Sequence, residues 1–226
     1  MLRNDKPNEF ENQKIEATNT EIGRVLRAST TGFAIGCRVS QLSEPSFGSL
    51  VKAQPVDHRQ AVYGLIYDIH IDDDPLIRRL VLAESPRPSV IEDQRVNRLL
   101  PIEMSVLATG YQMEGSIYHG LPPRPPLNLD PVTLCRDPTE VKAFTDKPGY
   151  LRLILHGWGD RVPIDQLLVA HIRHTYLQRG EDIEWAMGTV RELIELLRSD
   201  YELLIPTLEA ISEALPETKE VGFPDF

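Results

Sequence analysis

The apolar positions of this chain change their spacing part-way along it. Between residues 22 and 69 they fall in short runs separated by turn-forming segments. Ile22-Gly23-Arg24-Val25-Leu26 reads as a strand, Ala28-Ser29-Thr30-Thr31-Gly32 as a turn, and Phe33-Ala34-Ile35-Gly36-Cys37-Arg38-Val39 as a second strand. After a turn at Ser46-Phe47-Gly48 come Leu50–Ala53 and then Ala61–Ile69, which is apolar on both faces. Strands this short, about ten residues apart and punctuated by glycine, predict a small β-barrel or sandwich. Pro101 to Tyr111 reads as a later strand of the same unit. Asp74-Pro75 to Leu82 reads as a short helix capped by Asp72, Asp73 or Asp74.

Beyond residue 118 the pattern alters. The segment 119–131 holds Pro122, Pro123, Pro125, Pro126 and Pro131, which impose an extended chain with few backbone donors. A free PxxP ligand is one reading. The preferred one is a rigid strap laid along the barrel, because Leu121, Leu127 and Leu129 need cover. Asp137 caps a helix with Pro138 at its first position, and Tyr150–Leu155 reads as a strand. Pro163 to Gly180 is a helix ended by glycine. From Glu181 to Tyr201, Ile183, Ala186, Met187, Val190, Ile194, Leu197 and Tyr201 recur at helical spacing. Pro206 breaks or kinks this helix and starts another carrying Leu208, Ile211 and Leu215. The expected class is α+β: a small N-terminal β-barrel (21–118), a proline-rich strap (119–131) and a mainly α-helical acidic region (132–216), between tails at 1–20 and 217–226.

Composition narrows the class without naming a function. The 226 residues are 41% hydrophobic and 26% charged, as in an ordinary soluble globular protein. Cys37 and Cys135 are far apart, which argues against a disulfide framework or a zinc ribbon. No apolar run approaches the ~20 residues of a membrane span, and the N-terminus lacks the apolar core of a secretory signal. The expectation is a cytoplasmic protein with no membrane partner. Of the net charge of −10, residues 181–226 carry −9, with twelve acids against three bases. A near-neutral body with an acidic end is the reverse of a nucleic-acid-binding footprint. The acids of the helical region, Glu192, Glu195, Glu202, Glu209 and Glu213 among them, read either as a solvated face or as a surface that docks on a cationic partner.

Catalytic motifs are absent from the sequence. No glycine is followed by lysine, so there is no phosphate-binding P-loop, and G-x-G-x-x-G, H-E-x-x-H and G-x-S-x-G are missing too. Asp68, His70 and Asp72 to Asp74 cluster carboxylates with an imidazole, but match no defined metal loop and suit helix capping better. His171 and His174 share a helix face without a third ligand in reach, and read as structural histidines. Arg87, Arg95, Arg98 and Arg124 lie in irregular segments beside the barrel. They suit either partner docking or internal pairing with Glu92 and Asp93.

Residues 21–69 resemble the start of a HAS-barrel, the small β-barrel at the N-terminus of HerA-type DNA translocases and rotary ATP synthases. The resemblance is carried by Ile22-Gly23-Arg24-Val25, Ser29-Thr30-Thr31 with Phe33, Phe47-Gly48 before Val51, and Val62-Tyr63-Gly64-Leu65-Ile66-Tyr67-Asp68-Ile69. It implies a barrel that mediates assembly and docking. The ATPase core that follows it in those relatives has no counterpart here, so ATPase activity is not carried over.

The sequence thus predicts a non-catalytic interaction module without cofactor or metal. Its expected role is to regulate or adapt a nucleic-acid-processing enzyme with a cationic surface, such as an RNase E-type ribonuclease, which it would inhibit, or a HerA-type translocase. The alternative is direct nucleic-acid binding by the barrel through its arginines, which the net charge disfavours. A metal enzyme using Asp68, His70 and Asp72 to Asp74 ranks last.

Overall fold

The computed structural model describes residues 20–37, 44–55, 60–71, 78–79, 81–82, 87–91, 102–156 and 162–216. The strands are β1 (Thr20–Ala28), β2 (Gly32–Cys37), β3 (Leu50–Ala53), β4 (Gln60–Ile71), β5 (Ile102–Met113), β6 (Ser116–Tyr118) and β7 (Pro131–Leu134). The helices are α1 (Pro138–Thr145), α2 (Leu151–His156), α3 (Ile164–Gln178), α4 (Ile183–Leu197) and α5 (Tyr201–Ala214).

Six strands close into a barrel in the order β2-β1-β7-β3-β4-β5, with β5 pairing back onto β2, and β6 hangs on β5 as a hairpin. Strands β1 to β5 stand where the apolar runs place them. Glycine permits the tightest approaches. A Cβ on Gly23 would lie 2.4 Å from the Gly36 carbonyl oxygen. The barrel interior is filled by alternate residues, including Ile22, Val25, Ile35, Val62, Ile66, Met104 and Val132.

Strand β4 is apolar on both faces because both are covered. Leu50, Tyr63, Leu65 and Leu107 project outward from β3, β4 and β5. They join Val141, Phe144, Tyr150, Leu151, Ile154, Leu168 and Ile172 of the helical layer in a second core. Helix α1 is pinned to this face by the Glu140 carboxylate, which pairs with Lys52 and accepts from the Tyr63 hydroxyl at 2.9 Å. Asp137 caps that helix through the Thr139 N–H at 2.9 Å.

Several expectations are corrected. Barrel and helices do not part at the proline segment: β7 lies beyond it and completes the barrel between β1 and β3. Four residues with a proline at the first position give little strand pattern, although Val132 and Leu134 are buried. The strap does not cover its leucines. Leu121, Leu127 and Leu129 are 48%, 68% and 69% exposed, and Pro122 and Pro126 are buried in their place. The run Tyr150–Leu155 is helical, not a strand, because Leu151 and Ile154 bury one helical face against the barrel while Arg152 points to solvent. Pro206 lies inside α5 and starts no helix. Asp200 caps α5 by accepting from the Leu203 N–H at 3.1 Å. Glu202, whose carbonyl loses its helical donor at Pro206, is exposed to water. Of the helix expected before Leu82, residues 78, 79 and 81 are helical. Its cap at Asp72 to Asp74 and the tails at 1–19 and 217–226 lie outside the described residues.

The joint between barrel and helices is tightest at Gly48. With φ of +83°, a Cβ there would sit 2.7 Å from the Ala170 Cβ and 2.8 Å from the His171 nitrogen on α3. The Gly48 N–H donates to the Ile66 carbonyl at 2.7 Å. Its own carbonyl faces His171 Nδ1 at 3.3 Å, so that nitrogen carries the proton. Nε2 then accepts from the Tyr150 hydroxyl at 3.0 Å. Gly48→Ala is expected to destabilise the protein by about 2–3 kcal/mol in urea unfolding, from left-handed strain and overpacking together.

His171 is fully buried and neutral, and burial pushes its pKa down from 6.5 to about 4. The unfolded chain therefore takes up a proton between pH 6.5 and 4 that the folded chain refuses, and stability falls as pH drops through that window. The loss approaches roughly 3 kcal/mol at the acid end. Comparing the pH slope of the unfolding free energy with that of His171→Gln isolates this contribution. Equal slopes would refute it.

Candidate interaction surfaces

The helical layer presents two outward stripes of different character. On α4 and its C-cap the exposed positions are Glu184, Gly188, Arg191, Glu195 and Arg198, with acids and bases interleaved. Glu195 lies 3.9 Å from Arg198, and the half-buried Glu192 lies 3.7 Å from Arg152 of α2. On α5 the exposed stripe is Glu202, Pro206, Glu209 and Glu213, spaced at four, three and four residues, with no base in it. The predicted acidic surface thus resolves into two parts. Glu202, Glu209 and Glu213 share one face, whereas Glu192 and Glu195 are ion-paired on another helix.

Arg87 is exposed ahead of a helical turn at residues 88–91. Arg124 is exposed in the proline segment, where its carbonyl accepts from Gln60 Nε2 at 2.7 Å. Arg95 and Arg98 lie outside the described residues. Asp68 and His70 are exposed near the end of β4, and among the described residues no cluster of three or more His, Cys, Asp or Glu could hold a metal ion. His171 and His174 face the barrel joint, where burial lowers the pKa of both.

Sequence reasoning missed two features. The first is on the outer barrel wall. A bulge in β1 between Val25 and Arg27 turns Leu26 and Arg27 outward together. Arg27 then reaches across β2 to a bidentate pair with Glu103, which holds the guanidinium charged. Beside this pair lies a depression of about 270 Å³ lined by Ser29, Thr31, Gly32, Ala34 and Tyr67.

The second is a cleft of about 390 Å³ where the end of α1 meets the start of α4. Its anchor is Arg179, whose side chain is 7% exposed. The guanidinium donates to Asp182 from Nε at 3.1 Å and Nη2 at 2.9 Å, and from Nη1 to Asp146 and Thr145 Oγ1, both at 2.9 Å. It also stacks 5.2 Å from the centre of the Trp185 ring. Asp182 caps α4 through the Trp185 N–H at 3.0 Å, and this bond, with Arg179, holds its carboxyl below the usual carboxylate range. The indole N–H donates to the Thr145 carbonyl at 2.9 Å. The available signal was the run Arg179-Gly180-Glu181-Asp182 followed by Trp185: an arginine three residues before a cap, and a large aromatic in the first helical turn.

No family model matches this sequence, and no curated protein matches it.

Gly188 lies within α4 on the wall of this cleft, and a Cβ added there meets no atom within 4 Å. Packing does not require the glycine, although it weakens the helix. Gly188→Ala is expected to stabilise the protein by about 0.5–1 kcal/mol, raising Tm by roughly 2–3 °C. A fall in Tm in a calorimetric scan would show that the space is needed by the fold.

Proposed function

We propose that this protein is a non-catalytic interaction module: a barrel of the HAS type carrying an acidic helical layer that regulates or adapts a nucleic-acid-processing enzyme. The observation that carries the reading is the α5 stripe. Three carboxylates, Glu202, Glu209 and Glu213, stand exposed on one helix face without an interleaved base, while the neighbouring face of α4 is internally compensated. Such a stripe complements the cationic channel with which a nuclease or translocase holds phosphates, and occupying that channel inhibits the enzyme. The barrel supplies a rigid platform, and its closed ring leaves the helical layer to present the charge.

The test compares the wild-type chain with a Glu202→Lys, Glu209→Lys, Glu213→Lys variant as baits in nuclease-treated lysate. The wild type is expected to retain a stoichiometric protein that added RNA or DNA displaces. The triple reversal should weaken capture by at least about tenfold at low salt and by less at high salt, where screening removes the attraction. Equal capture by both baits would sink the acidic-docking reading. Partners that vanish with nuclease treatment would place direct nucleic-acid binding ahead of it.

A further inference from the structure

One wall of the barrel turns apolar side chains to water. On β1, Leu26 is 47% exposed and lies over Gly36 of β2, where a Cβ would sit 2.9 Å from Leu26 Cδ2. The strap runs along the other side of the same stretch. The Leu129 N–H donates to the Val25 carbonyl at 2.8 Å, Asn128 Nδ2 to the Leu26 carbonyl at 2.6 Å, and Arg24 Nη1 to the Leu129 carbonyl at 3.0 Å. These bonds set Leu127 and Leu129, both more exposed than Leu26, on the segment beside it.

Leu129 occupies the third position of the turn Leu127–Asp130, which the Asp130 N–H closes on the Leu127 carbonyl at 3.1 Å. Its φ of +70° lies in the left-handed region, where such turns ordinarily place glycine. The Asp130 carboxylate fixes the turn a second time by accepting from the Leu127 N–H at 2.7 Å. A side chain held at a conformational cost, and left largely in water by its own chain, is placed for contact from outside.

Two observations select a second copy of this chain as the occupant. The first is charge. The exposed charges of β1 are compensated, Glu21 with Arg24 at 3.1 Å and Arg27 with Glu103. An acid beside a base is its own complement under two-fold rotation, since each Glu21 can face the Arg24 of the other copy. The second is position. In the closed ring β1 lies three strands from β4 in either direction, and the helical layer covers β3, β4 and β5. Each chain carries −10, of which −9 belongs to residues 181–226. Two such chains repel each other least when they meet on the wall opposite α4 and α5.

We infer that the protein forms a two-fold dimer through this wall. Leu26, Leu127 and Leu129 of one copy pack on the same residues of the other, and Glu21 and Arg24 exchange partners between copies. Three leucines make a small interface, so the association is weak, with Kd of about 20 μM. The dimer leaves the α5 stripe open on both copies and stands independently of the acidic-docking reading.

Sedimentation velocity on the full-length chain tests this from about 1 to 200 μM, tenfold or more on either side of that Kd. The mass is expected to rise from one chain to two across the range. Leu129→Gly removes the side chain and suits the backbone. It should weaken dimerisation at least about tenfold without lowering Tm at the lowest concentration. Glu21→Arg sets like charges against each other and should weaken it about fivefold, less so in high salt. The Glu202→Lys, Glu209→Lys, Glu213→Lys variant should dimerise at least as well as wild type. A chain that stays monomeric at the highest concentration, or a mass that climbs beyond two chains, would overturn the proposal. So would unchanged association, or a lowered Tm, in Leu129→Gly.

Discussion

The helical layer follows from the need to cover one wall of the barrel. Leu50, Tyr63, Leu65 and Leu107 project away from the barrel interior, and four large side chains cannot be left in water at that density. Burying each one contributes about 1.5–3 kcal/mol, which makes the helical layer part of the stability of the barrel and not an appendage to it. The polar contacts serve register more than energy. Lys52 and Tyr63 converge on Glu140 to fix α1, and Gly48 brings its loop against α3 closely enough for His171 to bond the glycine carbonyl. Desolvation offsets much of the attraction in this largely buried ion pair, so its contribution lies in choosing one docking geometry among several that would bury the same leucines.

The barrel was largely legible in the sequence because its long strands announce themselves. Ala61–Ile69 carries apolar residues on both faces, which already indicates a strand covered on two sides, and the glycines mark where backbones approach. What could not be read was whatever depends on partners far away in the chain. β7 is four residues long, and only its neighbours β1 and β3 make it a strand. Tyr150–Leu155 is a run of apolar residues that suits strand or helix equally, and the choice is made by the wall it lies against. Leu129 was expected to be covered. It sits at φ +70° in a turn whose N–H bonds the Val25 carbonyl, and this backbone geometry turns its side chain out to solvent.

The surfaces were legible as composition and illegible as geometry. The sequence locates the negative charge in the last fifth of the chain. The fold distributes it, pairing Glu192 and Glu195 with arginines and grouping Glu202, Glu209 and Glu213 on one helix. Arg27 on β1 and Arg179 at the C-terminal cap of α3 each hold carboxylates from other elements. The local run to Asp182 and Trp185 hints at Arg179, but its pairing with Asp146, 33 residues earlier, is visible only once α1 packs on α3.

The position of β7 also bears on how the protein emerges from the ribosome. The ring cannot close until residue 134 has left the exit tunnel, and until then β1 and β3 each carry an edge of unpaired amides and carbonyls. Such edges are templates for pairing with another chain. Before β7 is available, the five earlier strands can pair only as an open sheet in the order β1-β2-β5-β4-β3. Closure comes only as α1, which begins four residues beyond the end of β7, becomes available to cover the wall. Synthesis of this chain couples sealing the ring to capping its flank, and an interruption between residues 113 and 131 would leave an open sheet prone to association.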